Sequence, residues 1–291
     1  MLNKYNFSRE AITKNGISEV SSFFVGTIEL EKIREVIFEY LKKYLLYESD
    51  NLSLDKKISS AMKNETVPDN TLKEMRNEVL KIVYSFTLKT ETREIFEKII
   101  GHNNIDICDD FLDFRANMPN LKKVPTGWHQ DIETPFVENK NYWKNFSLTC
   151  WITLNNAYKE NSIELMPRKE NSFNIYPQHY GRIGSVDYAK KSLYEIDKNL
   201  NEDNKYVVEC KTDQCIFFDS FILHRTVPIK SNTPRFSIDI RYFDKNKIIK
   251  NKIKIHPKLY YFKFLKSKYY KIARDSSVGK TTKYIRNLFS K

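Results

Sequence analysis

The chain has 291 residues, 41% of them hydrophobic and 14% aromatic, enough to build one large core with appendages. No stretch approaches the roughly 20 uncharged apolar residues that cross a bilayer, and the opening MLNKYNFSREAITKNG has no apolar run of signal-peptide type, so a soluble, cytoplasmic protein is expected. The net charge of +12 is concentrated at one end: residues 244–291 hold 15 Lys or Arg against 2 Asp, whereas residues 1–243 hold 34 basic and 35 acidic groups. That balance disfavours a broad nucleic-acid groove on the body of the chain.

In chain order, Leu30, Ile33, Val36, Ile37, Tyr40 and Leu41 recur at helical spacing within residues 29–47, with charged residues between them. They predict an amphipathic helix that covers one face of a sheet. The polar stretch 48–70, with Pro68 and Asp69 near its end, reads as a loop with one short helical turn. A second long helix is predicted over 72–100, with Met75, Val79, Ile82 and Val83 along its stripe. After Gly101 the period shortens. Residues 105–118, 146–154, 206–210, 215–218 and 235–243 are short runs rich in β-branched and aromatic residues and read as strands. Helices followed by a succession of strands point to an α+β fold with helices packed on a β-sandwich or barrel. The polar, turn-rich segment 155–205 is long for a loop inside a compact domain and is expected to form a lid. Cys108, Cys150, Cys210 and Cys215 lack the paired spacing of a zinc site and the density of a disulfide-stapled domain, so buried, reduced thiols are expected.

The chemistry is carried by three short elements. In Gly127-Trp128-His129-Gln130-Asp131 the i and i+2 positions of a strand share a face, so His129 and Asp131 should present an imidazole and a carboxylate side by side. Such a triplet is weak alone, because it arises by chance in many chains. The run 217–226 adds an apolar strand that delivers His224 at its end. Two imidazoles and one carboxylate on one face of a metal leave three positions open, which suits ferrous iron taking both an oxo acid and dioxygen. A closed structural zinc site offers no such opening. Arg235 follows His224 by 11 residues, and Ser237 shares its strand face. A guanidinium fork beside a hydroxyl is suited to gripping a carboxylate.

In this order the elements resemble the phytanoyl-CoA dioxygenase-like family of iron(II)/2-oxoglutarate-dependent oxygenases. The resemblance rests on His129 and Asp131, on Trp151-Ile152-Thr153-Leu154-Asn155-Asn156-Ala157 with Glu160-Asn161-Ser162 and Met166-Pro167 behind it, on His224, and on Arg235. An opening like FSREAITKNGISEVSSFF extends it over roughly residues 7–243. It implies a double-stranded β-helix (jelly roll, cupin-like) with helices packed on one sheet. It further implies iron held by His129, Asp131 and His224, 2-oxoglutarate anchored by Arg235 with Ser237 and lined by Trp151, and O2 as oxidant. Residues 1–243 would form the oxygenase domain and 244–291 a basic, aromatic tail. Asp131 favours hydroxylation or another oxidation over halogenation, since the related halogenases lack this carboxylate. The expected substrate is a small or carrier-linked metabolite, such as a bacterial surface-saccharide or specialised-metabolite precursor. The chain departs from the family at Arg168-Lys169-Glu170-Asn171-Ser172, where a Gly-Ser-His turn is common.

Other residues carry less. Arg115 and Asn117, on the strand before the triplet, and His179, flanked by Tyr176 and Tyr180 in the expected lid, are candidate substrate contacts. An ion pair of Arg115 with Asp109, Asp110 or Asp113 and an exposed loop position for His179 are the plainer readings. His102 and His256 read as surface groups. Gly279-Lys280-Thr281-Thr282 lacks the first glycine and the preceding strand of a phosphate loop and is rejected. The tail interleaves Lys with Tyr, Phe and Ile, which suits peripheral contact with an anionic membrane at its inner face better than nucleic acid. The alternative for the whole chain is a non-catalytic jelly-roll adaptor that binds membrane or nucleic acid through that tail.

Overall fold

The structure, a computed structural model, describes residues 9–107, 112–119, 127–131, 145–169, 174–175, 203–227, 229–248 and 254–255. Five helices come first or between short ladders: α1 (Arg9–Asn15), α2 (Ile28–Leu41), α3 (Leu54–Ile58), α4 (Asp69–Thr87) and α5 (Thr90–Ile100). Twelve strands are described. These are β1 (Leu45–Leu46), β2 (Ala61–Met62), β3 (Ile105–Ile107), β4 (Asp113–Asn117), β5 (Asn145–Thr153), β6 (Ile163–Met166), β7 (Asn174–Ile175), β8 (Tyr206–Val207), β9 (Cys215–Asp219), β10 (Leu223–Thr226), β11 (Arg235–Ile248) and β12 (Lys254–Ile255).

The amphipathic helix expected over 29–47 is α2, which ends at Leu41 and passes through a 3-10 turn into β1. Its buried side is Leu30, Ile33, Ile37 and Leu41, and Glu29 and Glu31 lie in its first turn, where the helix dipole favours negative charge. The single helix expected over 72–100 is two. At the end of α4 the Thr87 hydroxyl donates to the Val83 carbonyl (2.7 Å), and Lys89 is extended (φ −66°, ψ 141°), so the chain restarts as α5 with Thr92, Ile95, Phe96 and Ile99 buried. The apolar period runs on across the break, which is why the break is invisible in the sequence. α5 stops at Gly101, whose φ of 95° is the left-handed cap conformation that glycine adopts without a Cβ penalty.

One antiparallel sheet has the order β3-β11-β5-β9, with β4 also paired to β11; a second has the order β10-β6-β8. β11 and β5 alternate strictly. Phe236, Ile238, Ile240 and Tyr242, with Leu148, Cys150 and Ile152, join the helices in the larger core cluster. Trp151 of β5 turns to the other side, where it packs with Ile216 and Phe218 of β9 and Ile163 and Leu165 of β6, so a second apolar cluster fills the space between the two sheets. β9 is an edge strand of the larger sheet, and residues 17–21 run along it: Ser18 N donates to Phe217 O (2.8 Å) and Ser21 N to Cys215 O (2.8 Å). That covers backbone groups which an open edge would leave unpaired. The run 105–118 divides into β3 and β4, and β6 lies inside the segment expected to be a lid. Residues 170–173 and 176–202 of that segment, with His179, lie outside the described residues, as do Cys108, His256, the 279–282 segment and the tail apart from 244–248 and 254–255. No helix among the described residues is long and apolar enough to cross a membrane.

Candidate functional site

His129 and His224 face one another across an antiparallel bridge, each donating its backbone N–H to the other's carbonyl (3.0 and 2.9 Å). Two details differ from the sequence reading. His129 belongs to an isolated bridge and Asp131 to the turn after it, so the pair does not lie on a regular strand. The run 217–226 is two strands with a tight turn, and His224 is the second residue of β10. The turn exists because Asp219 folds it: its Oδ1 accepts Phe221 N–H (2.9 Å) and its carbonyl accepts Ile222 N–H (3.1 Å). Gln130, buried between the two residues of the triplet, donates its side-chain N–H to Phe221 O (2.6 Å), which ties the loop carrying His129 and Asp131 to the turn before His224.

The donor atoms of His129, Asp131 and His224 lie within 4.8 Å of one another. Ligand atoms about 2 Å from a common ion are at most about 4 Å apart, so slight inward rotation closes the triangle. Each imidazole has its Nδ1 against the carbonyl two residues back, Gly127 O for His129 (2.9 Å) and Ile222 O for His224 (3.1 Å). With the proton on Nδ1, Nε2 carries the lone pair that a metal needs. Burial, with the neighbouring His224, pushes the His129 imidazole down to about 3, so it is neutral at physiological pH. Burial works against the charge of Asp131, but Arg241, His224 and His129 outweigh it and hold this carboxyl well below the usual carboxylate range. Its Oδ2 accepts from Arg241 Nη2 (2.6 Å) and Thr149 Oγ1 (3.1 Å), and its Oδ1 lies 3.7 Å from His224 Nε2.

On β11, the strand that also supplies Arg241, lies a second constellation. Arg235 is 1% exposed. Its Nε donates to Asn161 O (3.0 Å), its Nη1 to Ser237 Oγ (2.5 Å), and its guanidinium carbon lies 5.5 Å from the centre of the Trp151 ring. Among the described residues no carboxylate makes an ion pair with it, and burial pushes it down to about 10. Two neighbouring polar atoms are also buried without hydrogen-bond partners: the indole Nε1 of Trp151 and the amide Nδ2 of Asn117, which is registered opposite Arg235 on β4. A buried cation with no carboxylate partner among the described residues, next to two buried N–H donors without acceptors, is the kind of surrounding that suits an anionic, oxygen-rich ligand.

The motif 155–162 acquires a role here. Asn155 Oδ1 accepts Phe236 N–H (2.8 Å) and its Nδ2 donates to Pro234 O (2.8 Å), which fixes the start of β11, and Asn161 supplies the carbonyl under Arg235. Arg115 takes the plainer of its two readings in part: it pairs with Asp113 (2.8 Å), as expected of a surface arginine, and also with Asp239 (3.6 Å) on the inward face of β11. Arg168, at the departure from the family pattern, makes a structural contact, donating to Asp219 Oδ2 (3.0 Å) and to the carbonyls of Lys14 (3.2 Å) and Ile12 (3.1 Å). Cys150, Cys210 and Cys215 are buried free thiols, as expected. Sequence reasoning passed over Gln130, Thr149, Asn155 and Arg241. The one available signal was β11 itself, where Arg235, Ser237, Asp239 and Arg241 alternate with four large apolar residues, a polar strand face that must look into a site.

No protein-family model matches the chain, and no curated protein matches it. Solved structures do. The epimerase SnoN in complex with Fe3+, alpha ketoglutarate and nogalamycin RO superposes with a TM-score of 0.50 over 81% of this chain and 82% of its own, at 14% identity. The likeness is one of fold. EvdO2 from Micromonospora carbonacea var. aurantiaca, complexed with 2-oxoglutarate, gives 0.48 over 81% and 89% at 15% identity. The non-heme alpha ketoglutarate dependent carbocyclase SnoK from nogalamycin biosynthesis gives 0.44 over 81% and 82% at 15% identity.

Proposed function

We propose that this chain is an Fe(II)- and 2-oxoglutarate-dependent dioxygenase of the phytanoyl-CoA dioxygenase-like kind, on a double-stranded β-helix, that hydroxylates a small or carrier-linked metabolite. The observation that carries the reading is the presence of two features in one sheet region: a triad of His129, Asp131 and His224 with donors within 4.8 Å, and, on the strand whose Arg241 pairs with Asp131, a buried Arg235 with no carboxylate partner among the described residues. The fold shared with SnoN, itself solved with Fe3+ and alpha ketoglutarate, supports it. A closed structural metal site would need no dicarboxylate anchor, and a non-catalytic adaptor would need neither.

His129 and His224 would ligate iron through Nε2, and Asp131 through Oδ1. Arg235 and Ser237 would grip the far carboxylate of 2-oxoglutarate, while Trp151 bounds that pocket and offers its indole N–H. When bound, the iron and 2-oxoglutarate supply activation of O2 and the oxidising power for breaking a substrate C–H bond. The chain's own part is to hold these groups in register, keep the His129 imidazole neutral and exclude water between the sheets. Arg115, Asn117 and His179 remain our proposal for substrate contacts, residues 1–243 for the catalytic unit, and the basic segment 244–291 for peripheral contact with an anionic membrane.

The test is release of succinate from 2-oxoglutarate by the purified protein with ferrous iron in air. Turnover is expected in the wild type and at background in His129→Ala and Asp131→Ala; turnover retained in both variants would remove the site.

A further inference from the structure

The carboxylate of Asp131 is held in a way that the ligand set alone does not require. Arg241 Nη2 donates to its Oδ2 (2.6 Å), Arg241 Nε donates to Thr149 Oγ1 (2.7 Å), and Thr149 Oγ1 in turn donates to the same Oδ2 (3.1 Å). The triangle is built on the sheet and not on a loop: Arg241 of β11 and Thr149 of β5 are registered cross-strand partners, and both are buried. Oδ1, the oxygen nearer the metal position, lies 3.7 Å from His224 Nε2.

We propose that Arg241 and Thr149 are positioning residues that restrict Asp131 to one donor atom, so that the carboxylate cannot turn its second oxygen onto the metal. The inference rests on the oxygenase reading and deepens it. A bidentate carboxylate takes two positions on an ion; one whose Oδ2 is tied to a guanidinium and a hydroxyl gives one. The three remaining positions are what a chelating oxo acid and dioxygen together require, so the clamp on Oδ2 keeps the third vacant. Hydrogen bonds to a ligating carboxylate from groups behind it are a general means of orienting it, and their loss typically lowers metal affinity or activity 10–100-fold. Arg241 lies six residues beyond Arg235 on the same strand face, so one strand would both grip the co-substrate and aim the carboxylate ligand.

Anaerobic titrations with Co(II), read through its visible d–d bands, and with Fe(II) separate positioning from mere stability. Arg241→Lys keeps the charge and loses the fork; Co(II) affinity is expected to fall about 10–100-fold, with altered d–d bands as the second carboxylate oxygen enters. Thr149→Val removes the brace on Arg241 and should weaken binding less, by under about tenfold, while Thr149→Ser keeps the hydroxyl and should match the wild type. Wild-type affinity and spectrum in Arg241→Lys, even with a lowered Tm, would overturn the proposal. Should Arg241→Lys not fold, Thr149→Val decides, and wild-type binding there overturns it equally. A wild-type protein that binds neither ion is a separate result: it removes the metal centre and the oxygenase reading with it.

Discussion

Two guanidiniums of the described residues, those of Arg168 and Arg235, are held in opposite states. Arg168 is saturated: its side chain is 7% exposed and pairs with an Asp219 that is wholly buried, and its remaining N–H groups reach the carbonyls of α1. Arg235 is more buried still, yet among the described residues its charge has no carboxylate partner, and Trp151 Nε1 and Asn117 Nδ2 near it have no acceptor there. Folding does not leave a cation and two donors buried and unanswered without cost. The first arrangement closes a seam between α1 and the turn that carries His224, and the second is open toward a ligand. The difference teaches that a buried charge marks function when its partner is missing, and structure when its partner is present.

Breaking the metal triad has the largest expected effect. His224→Ala should abolish ferrous binding while leaving the Arg168–Asp219 seam intact, so thermal stability of the apo protein should change little, a split that calorimetry beside a metal titration will detect. Arg168→Met removes the guanidinium paired with the buried Asp219 and should cost about 3–5 kcal/mol in urea unfolding; a loss under about 1 kcal/mol would mean that the seam is ornamental. Arg235→Met sharpens the contrast. It should weaken 2-oxoglutarate binding by about 2–5 kcal/mol, yet leave the apo protein as stable or more so. Here the sign follows from the shift: burial lowers the guanidinium, the charged form is the one disfavoured by folding, and at neutral pH it is charged in both states, so removing it relieves a penalty. The smallest effect is expected at Ser237→Ala, about 0.5–1.5 kcal/mol on co-substrate binding alone.

A backbone position probes the seam independently. Gly16, at φ +80°, passes so close to it that an added Cβ would lie 2.5 Å from Ile222 Cδ1 and 3.0 Å from both Arg168 Nε and Asp219 Oδ2. Gly16→Ala should therefore destabilise by at least about 1 kcal/mol in the same urea experiment, with no change in 2-oxoglutarate affinity.

Much of this was legible in the sequence, for identifiable reasons. β5, β9 and β11 announce themselves as short runs rich in β-branched and aromatic residues, which suit strands packed between the helices and the second sheet. His129, Asp131, His224 and Arg235 stand out because their residue types are unusual at the ends of apolar runs. What stayed hidden is set by topology. The break between α4 and α5 leaves the apolar stripe unbroken, β6 is only four residues long within polar sequence, and the partner of Asp131 is 110 residues away. The alternation along β11 marks Arg241 as facing inward, but its partner Asp131 follows only from the register of β11 against β5.

On the oxygenase reading, a metal held by His129, Asp131 and His224 and a dicarboxylate held by Arg235 meet in one pocket. Anaerobic addition of 2-oxoglutarate to the ferrous protein tests it directly. A visible charge-transfer band from the chelate is expected, saturable in 2-oxoglutarate, absent in His129→Ala and displaced to much higher 2-oxoglutarate concentration in Arg235→Met. A band of wild-type strength and midpoint in both variants, or none in a wild-type protein that binds iron, would contradict it.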